Sequence, residues 1–345
     1  MAESSGGPGR ASEERYSGTS WWAGTMMGWL GGEPPDFSIA TIPLAGMTVP
    51  PSWRESIVDR DLSAGVRIVM ERSGFVRYFF RGWAPGERRE EPEDEYSFED
   101  DAAAVNAQLA LMNAHRLLVH SSVVRLQAKS LGPGRVGHAD LVHGRGHDFQ
   151  AGGPGLFDSP FLVSNRDSAR FLSTSTAALD AAAGELERVL NHADGERVVG
   201  RLDILNRAMA AFSNHESAHA LIDAWTICEQ LIQQYWTDYV ERAGGTLTMS
   251  DGLVVERMNA RRRQLLEGTA YPVSVVLQVL ELAGEISHER FRTLNAIRSG
   301  RNGWMHDMRA VDADLARRAL LEAAGMLDDR YGFQIRLAPT RGLSG

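Results

Sequence analysis

In the first half of the chain, apolar residues that are often β-branched or aromatic come in short runs bounded by Gly, Pro and polar residues, a pattern typical of β-strands. The clearest runs are Phe37–Leu44, Gly65–Met70 and Gly74–Phe80. A short loop separates the last two, so we predict that they form a β-hairpin. Further along, Asp101–Leu118 has the apolar spacing of a helix, and His120–Ala128 is predicted to be one more strand.

The second half of the chain has a helical pattern, because its apolar residues recur every three or four positions. Ser213 followed by Glu216 fits the capping box that begins a helix, and Gly244 fits the residue that ends one. We predict helices over Asp167–His192 (one helix or a pair), residues 196–212, Ser213–Ala243, Ser250–Glu267, Tyr271–Leu282, His288–Arg301 and Asp312–Asp329.

These patterns predict an α+β protein in which a strand-rich N-terminal domain is followed by an all-α helical bundle. A Gly- and Pro-rich stretch separates the two patterns. We place the strand-rich domain, whose role the sequence does not reveal, at residues 19–165 and the helical domain at residues 166–336. Residues 1–18, rich in Ser, Gly and Glu, are expected to be a disordered tail, and residues 337–345 a second tail.

Composition and charge restrict the class of protein. A chain of 345 residues, 43% hydrophobic and 23% charged, is long enough for two domains with their own cores. Its single cysteine, Cys228, excludes an internal disulfide and, without a signal peptide or membrane-spanning stretch, predicts a cytoplasmic protein. The net charge of −9 argues against a protein that coats nucleic acid. Only −2 of that charge falls between Glu196 and Arg336.

One stretch of the helical half carries candidate catalytic chemistry, because Arg301 and Asn302 are followed by His306. Metal-free RNA cleavage needs a base for the ribose 2′-OH and a cation for the phosphate, roles that histidine and arginine fill. On an unbroken helix the side chains of Arg301 and His306 would point ~140° apart. We expect Gly300 and Gly303 to let the backbone break and aim both side chains into one cleft.

Residues 301–306, Arg-Asn-Gly-Trp-Met-His, resemble the signature of the HEPN superfamily, the compact helical domains of many prokaryotic RNases and toxins. That signature has an arginine, a polar residue that is often asparagine, a few further residues and a histidine, late in an all-α domain. Upstream, Ser217–Ile232, with Trp225 and Glu229, resembles a long helix of the Apea-like branch. The resemblance covers about residues 195–335.

The resemblance implies a metal-independent endoribonuclease that needs no cofactor and leaves a 2′,3′-cyclic phosphate. His306 would be the general base and later the acid, and Arg301 would stabilise the scissile phosphate. Asn302 would orient the phosphate or the histidine. Glu229 on the upstream helix would pair with Arg301 or polarise His306, and a buried salt-bridge partner is the equally weighted alternative for this residue.

The same resemblance implies partners and a biological setting. HEPN domains dimerise so that two motifs face one cleft, which implies a homodimer. The setting would be a prokaryotic defence or toxin-like antiviral system that cleaves RNA such as tRNA, with the N-terminal domain sensing a trigger or a partner protein. Many HEPN domains are inactive, so the alternative is a non-catalytic dimerisation module or a nucleotide- or RNA-binding module.

Several other arginines are candidates for binding the RNA backbone. Arg298 and Arg309 lie on either side of the motif, and an upstream helix carries the triplet Arg261, Arg262 and Arg263. A solvated helix face explains the triplet equally well.

Two further patterns raise the possibility of a bound metal. His215 to His219 reads H-E-x-x-H, the zinc metalloprotease pattern, in which two histidines on one helical face hold zinc and the glutamate activates water. Because Glu216 also fits a capping box, a zinc protease is the less favoured alternative. A Gly-rich stretch carries three possible ligands with no standard zinc spacing, His138, Asp140 and His143. A surface loop explains them more simply.

Overall fold

The computed structural model describes residues 19–23, 29–31, 52, 55–72, 74, 76–83, 102–128, 135, 142–143, 173–267 and 271–339. Within these residues the chain forms nine strands and eight helices, so the prediction of an α+β protein is confirmed. The chain divides into two compact units, Met1–Asn206 and Arg207–Gly345, and α3 (Gly195–Ser213) crosses the boundary. No helix among the described residues is long and apolar enough to cross a membrane.

The first unit contains an antiparallel sheet of five strands in the order β3-β4-β5-β1-β6, and a parallel pair, β2 and β7. The predicted hairpin is confirmed, since β4 and β5 pair from Val66 with Phe80 to Met70 with Val76. The predicted strand Phe37–Leu44 and the predicted tail 1–18 lie outside the described residues. The strands are β1 Thr19–Ala23, β2 Trp29–Leu30, β3 Ser56–Leu62, β4 Val66–Glu71, β5 Val76–Phe80, β6 Val142–His143 and β7 Ser173–Thr174.

Two helices pack together in this unit, α1 (Ala102–Gln127) and α2 (Thr176–Leu190). The predicted strand over His120–Ala128 is wrong, because α1 runs through this segment without a break. Residues 111–115 and 117–123 are all buried, so this part of the helix is enclosed on every side. It therefore has no polar face that would reveal a helical period in the sequence.

Polar contacts connect the strands of the first unit to its helices, and those of His115 and Glu187 involve side chains with shifted pKa values. The Tyr78 hydroxyl and Nδ1 of His115 share a buried hydrogen bond (2.8 Å) between β5 and α1. Burial lowers the pKa of His115 to about 3, so the imidazole stays neutral, and its Nε2 has no partner in the described chain. The amide of Ser63, between β3 and β4, donates to Oε2 of Glu187 on α2 (2.8 Å), and the Ser63 hydroxyl donates to Oε1.

Within the described residues, the second unit consists of helices, one short hairpin and a segment without regular secondary structure at residues 332–339. Its central helix is α4, which α5, α6, α7 and α8 all contact. The predictions of α3, α6 and α8 are confirmed to within two residues at each end, and α4 ends as predicted, with Gly244 as its C-cap. The helices are α4 Ser217–Ala243, α5 Ala260–Glu267, α6 Val273–Leu282, α7 His288–Asp307 and α8 Ala313–Tyr331.

Contacts at both ends of α7 show that it runs antiparallel to α8. Gly300, late in α7, lies beside Leu315 near the start of α8. Arg290, early in α7, donates from Nε to Glu322 Oε1 (2.6 Å) and from Nη1 to Asp329 Oδ2 (2.6 Å), further along α8. These ion pairs fix the register of the two helices.

The start of α4 differs from the prediction. Ser213 ends α3 instead of capping α4. His215 takes a left-handed conformation (φ 63°), so the chain turns before α4 begins at Ser217. Glu216 occupies the N-cap position and makes no capping hydrogen bond, so the predicted capping box is wrong.

A hairpin of β8 (Thr246–Thr248) and β9 (Val254–Glu256) stands where a helix was predicted from Ser250 onward. Gly252 in its turn has a φ of 82°, which glycine adopts at little cost. The helix begins only after this hairpin, at Ala260, so the predicted start is wrong.

Candidate functional site

The candidate catalytic residues lie in the last turns of α7, which passes through Gly300 and Gly303 without a break. The prediction that these glycines interrupt the helix is therefore wrong. Gly300 instead allows close packing, since a Cβ atom there would lie 2.3 Å from Cδ2 of Leu315 and 3.6 Å from Cδ2 of Leu221 on α4. This glycine lets α7 approach both α4 and α8.

Met308 ends α7 in a left-handed conformation (φ 52°). The amide of Met308 donates to the carbonyl of Trp304 (3.0 Å), and the amide of Arg309 donates to the carbonyl of Gly303 (3.2 Å). Backbone hydrogen bonds therefore close the helical turn that carries His306, and the chain changes direction just after it.

Arg301 is half-buried, and its Nη1 donates to Oδ1 of the neighbouring Asn302 (3.0 Å). Its Nε is buried and has no acceptor in the part of the chain that the structure describes. A buried donor without a partner costs about 1–3 kcal/mol. Asn302 holds one end of the guanidinium through its hydrogen bond.

His306 is exposed in the last turn of the same helix. It makes no hydrogen bond or ion pair with any described residue, so its imidazole is available to a ligand. Because α7 is unbroken, the side chains of His306 and Arg301 leave the helix ~140° apart. Within one chain the two residues therefore do not share a face of α7.

Glu229 is half-buried on α4 and does not join the motif. No hydrogen bond or ion pair between described residues connects it to Arg301 or His306. Leu221 is the α4 residue beside Gly300, and Glu229 lies about 12 Å further along the helix axis at 1.5 Å per residue. This offset accounts for the missing contact.

Each of the two arginines that flank the motif contacts a residue close to it in the sequence. Arg298 donates from Nη2 to Oδ1 of Asn295 (2.9 Å). Arg309 forms an exposed ion pair with Asp307 (2.8 Å). Such exposed contacts contribute little to stability, so both guanidinium groups remain available to a polyanion.

The triplet Arg261–Arg263 lies elsewhere in the second unit. Arg263 on α5 forms an ion pair with Glu241 (3.3 Å), near the end of α4. Leu221, which marks the position of the motif helix, lies about 30 Å away along α4 at 1.5 Å per residue. The structure therefore separates the triplet from the motif.

The H-E-x-x-H pattern does not form a metal site in this structure. His215 lies in the turn before α4, and His219 lies on the helix, so they do not share a helical face. Nδ1 of His219 instead lies 3.1 Å from the Glu216 carboxylate. No group of three or more His, Cys, Asp or Glu among the described residues is placed to hold a metal. Of the Gly-rich stretch, only the backbone of His143 is described among the three possible ligands.

The β8–β9 hairpin is an exposed element that the sequence interpretation missed. An Asp-Gly pair flanked by apolar residues is a hairpin signal, and Asp251-Gly252 lies between Met249 and Leu253. The charged residues that follow made the segment resemble an exposed helix.

Comparisons of the chain with models of known protein families, with curated proteins and with solved structures find no match. The functional interpretation therefore depends on the residues of α7 and their geometry.

Proposed function

We propose that this protein is a metal-independent endoribonuclease of the HEPN type. His306 removes the proton of a ribose 2′-OH, and the oxygen attacks the adjacent phosphorus while Arg301 neutralises the phosphate. The bond to the 5′-oxygen breaks, and protonated His306 returns a proton to that oxygen. The products are a 2′,3′-cyclic phosphate and a 5′-OH end.

One observation supports the proposal most. Arg301 has a buried Nε without an acceptor, and His306 has an exposed imidazole without a partner in the described chain. An RNA phosphate would bind the guanidinium of the half-buried Arg301 through its Nη atoms, and Asn302 would keep the guanidinium in place through its hydrogen bond.

A second copy of the chain completes the proposed site. Because Arg301 and His306 point ~140° apart on one helix, a single α7 does not direct both at one phosphate. Two motifs facing one cleft would place Arg301 of one chain near His306 of the other. Met305 and Met308, which are exposed on either side of His306, offer apolar surface for such a contact.

RNA cleavage by matched variants tests the proposal. Purified wild type, Arg301→Ala and His306→Ala are incubated with tRNA in the presence of a metal chelator, and new ends are analysed. We expect fragments with cyclic phosphate ends from the wild type and at least ~10²-fold slower cleavage by His306→Ala. His288→Ala and Arg292→Ala, exposed residues of the same helix, are the controls and should cleave normally.

A subunit-mixing experiment tests the dimer. Arg301→Ala and His306→Ala chains are inactive alone, but a mixed dimer retains one Arg301 and one His306 on opposite chains. Recovery of part of the activity on co-expression would support a site shared between chains. No recovery, with mixed dimers demonstrated, would show that each chain works alone.

The proposed setting, a toxin-like defence protein, predicts that induced expression halts host growth and that His306→Ala does not. If RNA stays intact with the wild type in cells, and also during phage infection, the nuclease proposal is wrong.

A non-catalytic RNA- or nucleotide-binding module is the second candidate, and the unbroken course of α7 favours it. In that case Arg301→Ala would weaken RNA binding, His306→Ala would bind normally, and neither wild type nor variant would cut RNA. Filter binding next to the cleavage assay separates the two functions.

A further inference from the structure

The β8–β9 hairpin has one apolar face. Leu247 pairs with Val255, and the amide of Met249 donates to the carbonyl of Leu253 (2.7 Å), which extends the pairing toward the turn. Side chains alternate along a strand, and directly opposite residues share a face. Leu247, Met249, Leu253 and Val255 therefore all lie on the same face.

This apolar face is open to solvent. The exposed fractions are 49% for Leu247, 46% for Met249, 60% for Leu253 and 40% for Val255. Antiparallel sheets ordinarily bury their apolar face, and a lone two-stranded hairpin is only marginally stable in water. The face is therefore suited to contact with another molecule.

Both strands of the hairpin also have an open edge. Two pairs of facing residues are hydrogen-bonded across the hairpin, because the amide of Arg257 donates to the carbonyl of Gly245 (3.2 Å) and the amide of Met249 donates to the carbonyl of Leu253. In an antiparallel pair such residues alternate with residues whose backbone N–H and C=O groups point away from the partner strand. The described part of this sheet consists of β8 and β9 alone. The outward N–H and C=O groups belong to Thr246, Thr248, Val254 and Glu256.

The apolar face ends in positive charge. Arg257 continues the alternation of β9 on this face and stands opposite Gly245, which has no side chain to cover it. Arg262 donates from Nη1 to the carbonyl of Arg257 (2.8 Å), which brings a second guanidinium group there. Arg261 beside it is exposed. An acidic ligand would be complementary to this end of the hairpin.

We propose that the hairpin is a docking site for an extended acidic segment of a partner protein. The segment adds as a third strand to an open edge, so its backbone pairs with the outward N–H and C=O groups. Its aliphatic side chains cover part of the apolar face, and its carboxylates pair with Arg257 and its neighbouring arginines. This proposal does not depend on RNA cleavage at Arg301 and His306.

Two other occupants fit the hairpin less well. A second copy would bury mainly the four apolar side chains, which offer far less than the ~800 Å² per partner of a standard interface. RNA would use the arginines, but residues 245–257 include no aromatic side chain on which bases stack.

Peptide binding to the full chain tests the proposal. The probes are an array of octapeptides in which Asp or Glu alternates with an aliphatic residue, with the same peptides carrying Lys in place of the acidic residues as controls. We expect the acidic peptides to bind, the lysine peptides not to bind, and binding to weaken as salt rises. Peptides with N-methylated backbone amides should lose binding, because they cannot pair with a strand edge.

Variants of the hairpin identify the surface. Arg257→Glu is expected to weaken peptide binding about tenfold or more, whereas Arg292→Glu on α7 is the charge-matched control. Leu247→Thr combined with Val255→Thr should abolish binding, and Val254→Thr, exposed on the opposite face, should not. All these side chains except Val255 are largely exposed, and a thermal melt of each variant verifies that it folds.

Three outcomes would overturn the proposal. The first is that no acidic peptide binds, or that Val254→Thr weakens binding as much as the Leu247 and Val255 pair. The second is a chain that dimerises in sedimentation through Leu247 and Val255, which would make the second copy the occupant. The third is that an RNA oligonucleotide binds in place of the peptides and that Arg257→Glu abolishes this RNA binding.

Discussion

Alanine substitutions at two glycines of α7 are expected to change stability in opposite directions. Gly300→Ala should destabilise the second unit, whereas Gly303→Ala should stabilise it. At Gly300 the added Cβ would lie 2.3 Å from Cδ2 of Leu315. At Gly303 the nearest atom is Cδ of Arg309 at 3.5 Å, an ordinary van der Waals contact. The two sites share one helix and differ in their neighbours.

The magnitudes follow from two opposing effects. Alanine is favoured over glycine inside a helix by ~1 kcal/mol, and Gly303→Ala should gain up to this amount. At Gly300 the same gain is opposed by overpacking, which costs ~1–3 kcal/mol, because favourable carbon contacts need ~3.5–4 Å. We therefore expect the free energy of unfolding to fall by ~1 kcal/mol in Gly300→Ala.

Urea denaturation followed by circular dichroism measures both changes. The double variant Gly300→Ala with Leu315→Ala removes the clash, so the cost of Gly300→Ala should disappear when it is measured against Leu315→Ala alone. If Gly300→Ala proved as stabilising as Gly303→Ala, the close approach of α7 and α8 at Gly300 would be refuted.

Three further predictions concern ionisable groups. The wild type should lose stability in acid because the lowered pKa of His115 (about 3) keeps its imidazole neutral in the folded chain, whereas the same imidazole takes up a proton in the unfolded chain below about pH 6.5. His115→Gln removes this group and should therefore lessen the loss. Urea titrations between about pH 4 and 7 should show the wild type losing up to ~1.4 kcal/mol more per pH unit. Arg290→Met should lower the free energy of unfolding by ~1–3 kcal/mol at neutral pH, because it removes the counter-ion of Glu322, whose pKa is raised by burial. Adding Glu322→Gln should restore part of this free energy in the same assay. Ser63→Ala should cost about 1 kcal/mol or less near neutral pH. Partial burial would raise the pKa of Glu187, but the hydrogen bonds from the hydroxyl and amide of Ser63, the hydrogen bond from Asn191 and the charge of Arg60 together hold the pKa below its usual value. That contribution is lost as the pH falls, so melting temperatures of variant and wild type should converge in acid.

Elements with one apolar side were predictable from the sequence. The stripe of apolar residues in α8 gives its period, and Asp312 caps it by accepting a hydrogen bond from the amide of Asp314 (3.3 Å). The β4–β5 hairpin was predictable because two runs rich in β-branched and aromatic residues are separated by a short loop. The first part of α1 was also predictable, but its continuation beyond Leu118 was not, because residues 117–123 are all buried, and Val123 and its neighbours have the composition of a strand.

The sequence indicates which residues form the candidate site, but not how their side chains are placed relative to one another. Spacing alone places Arg301 and His306 near each other in the sequence. The close packing that Gly300 allows depends on Leu315, which comes from a different helix and is invisible to a local pattern. The same holds for Glu229, whose distance from the motif is set by where α7 crosses α4. Sequence reasoning supplied the candidate chemistry, and packing decides which residues meet.

The left-handed Met308 has a consequence for how His306 is presented. A residue with a Cβ pays about 1–2 kcal/mol for this conformation, so backbone strain is stored at the joint directly after the turn that carries His306. Unwinding that turn releases the strain, whereas Gly300 is held between two neighbouring helices. We therefore expect any change in the direction of His306 relative to Arg301 to come from fraying of this last turn and not from a hinge at the glycines.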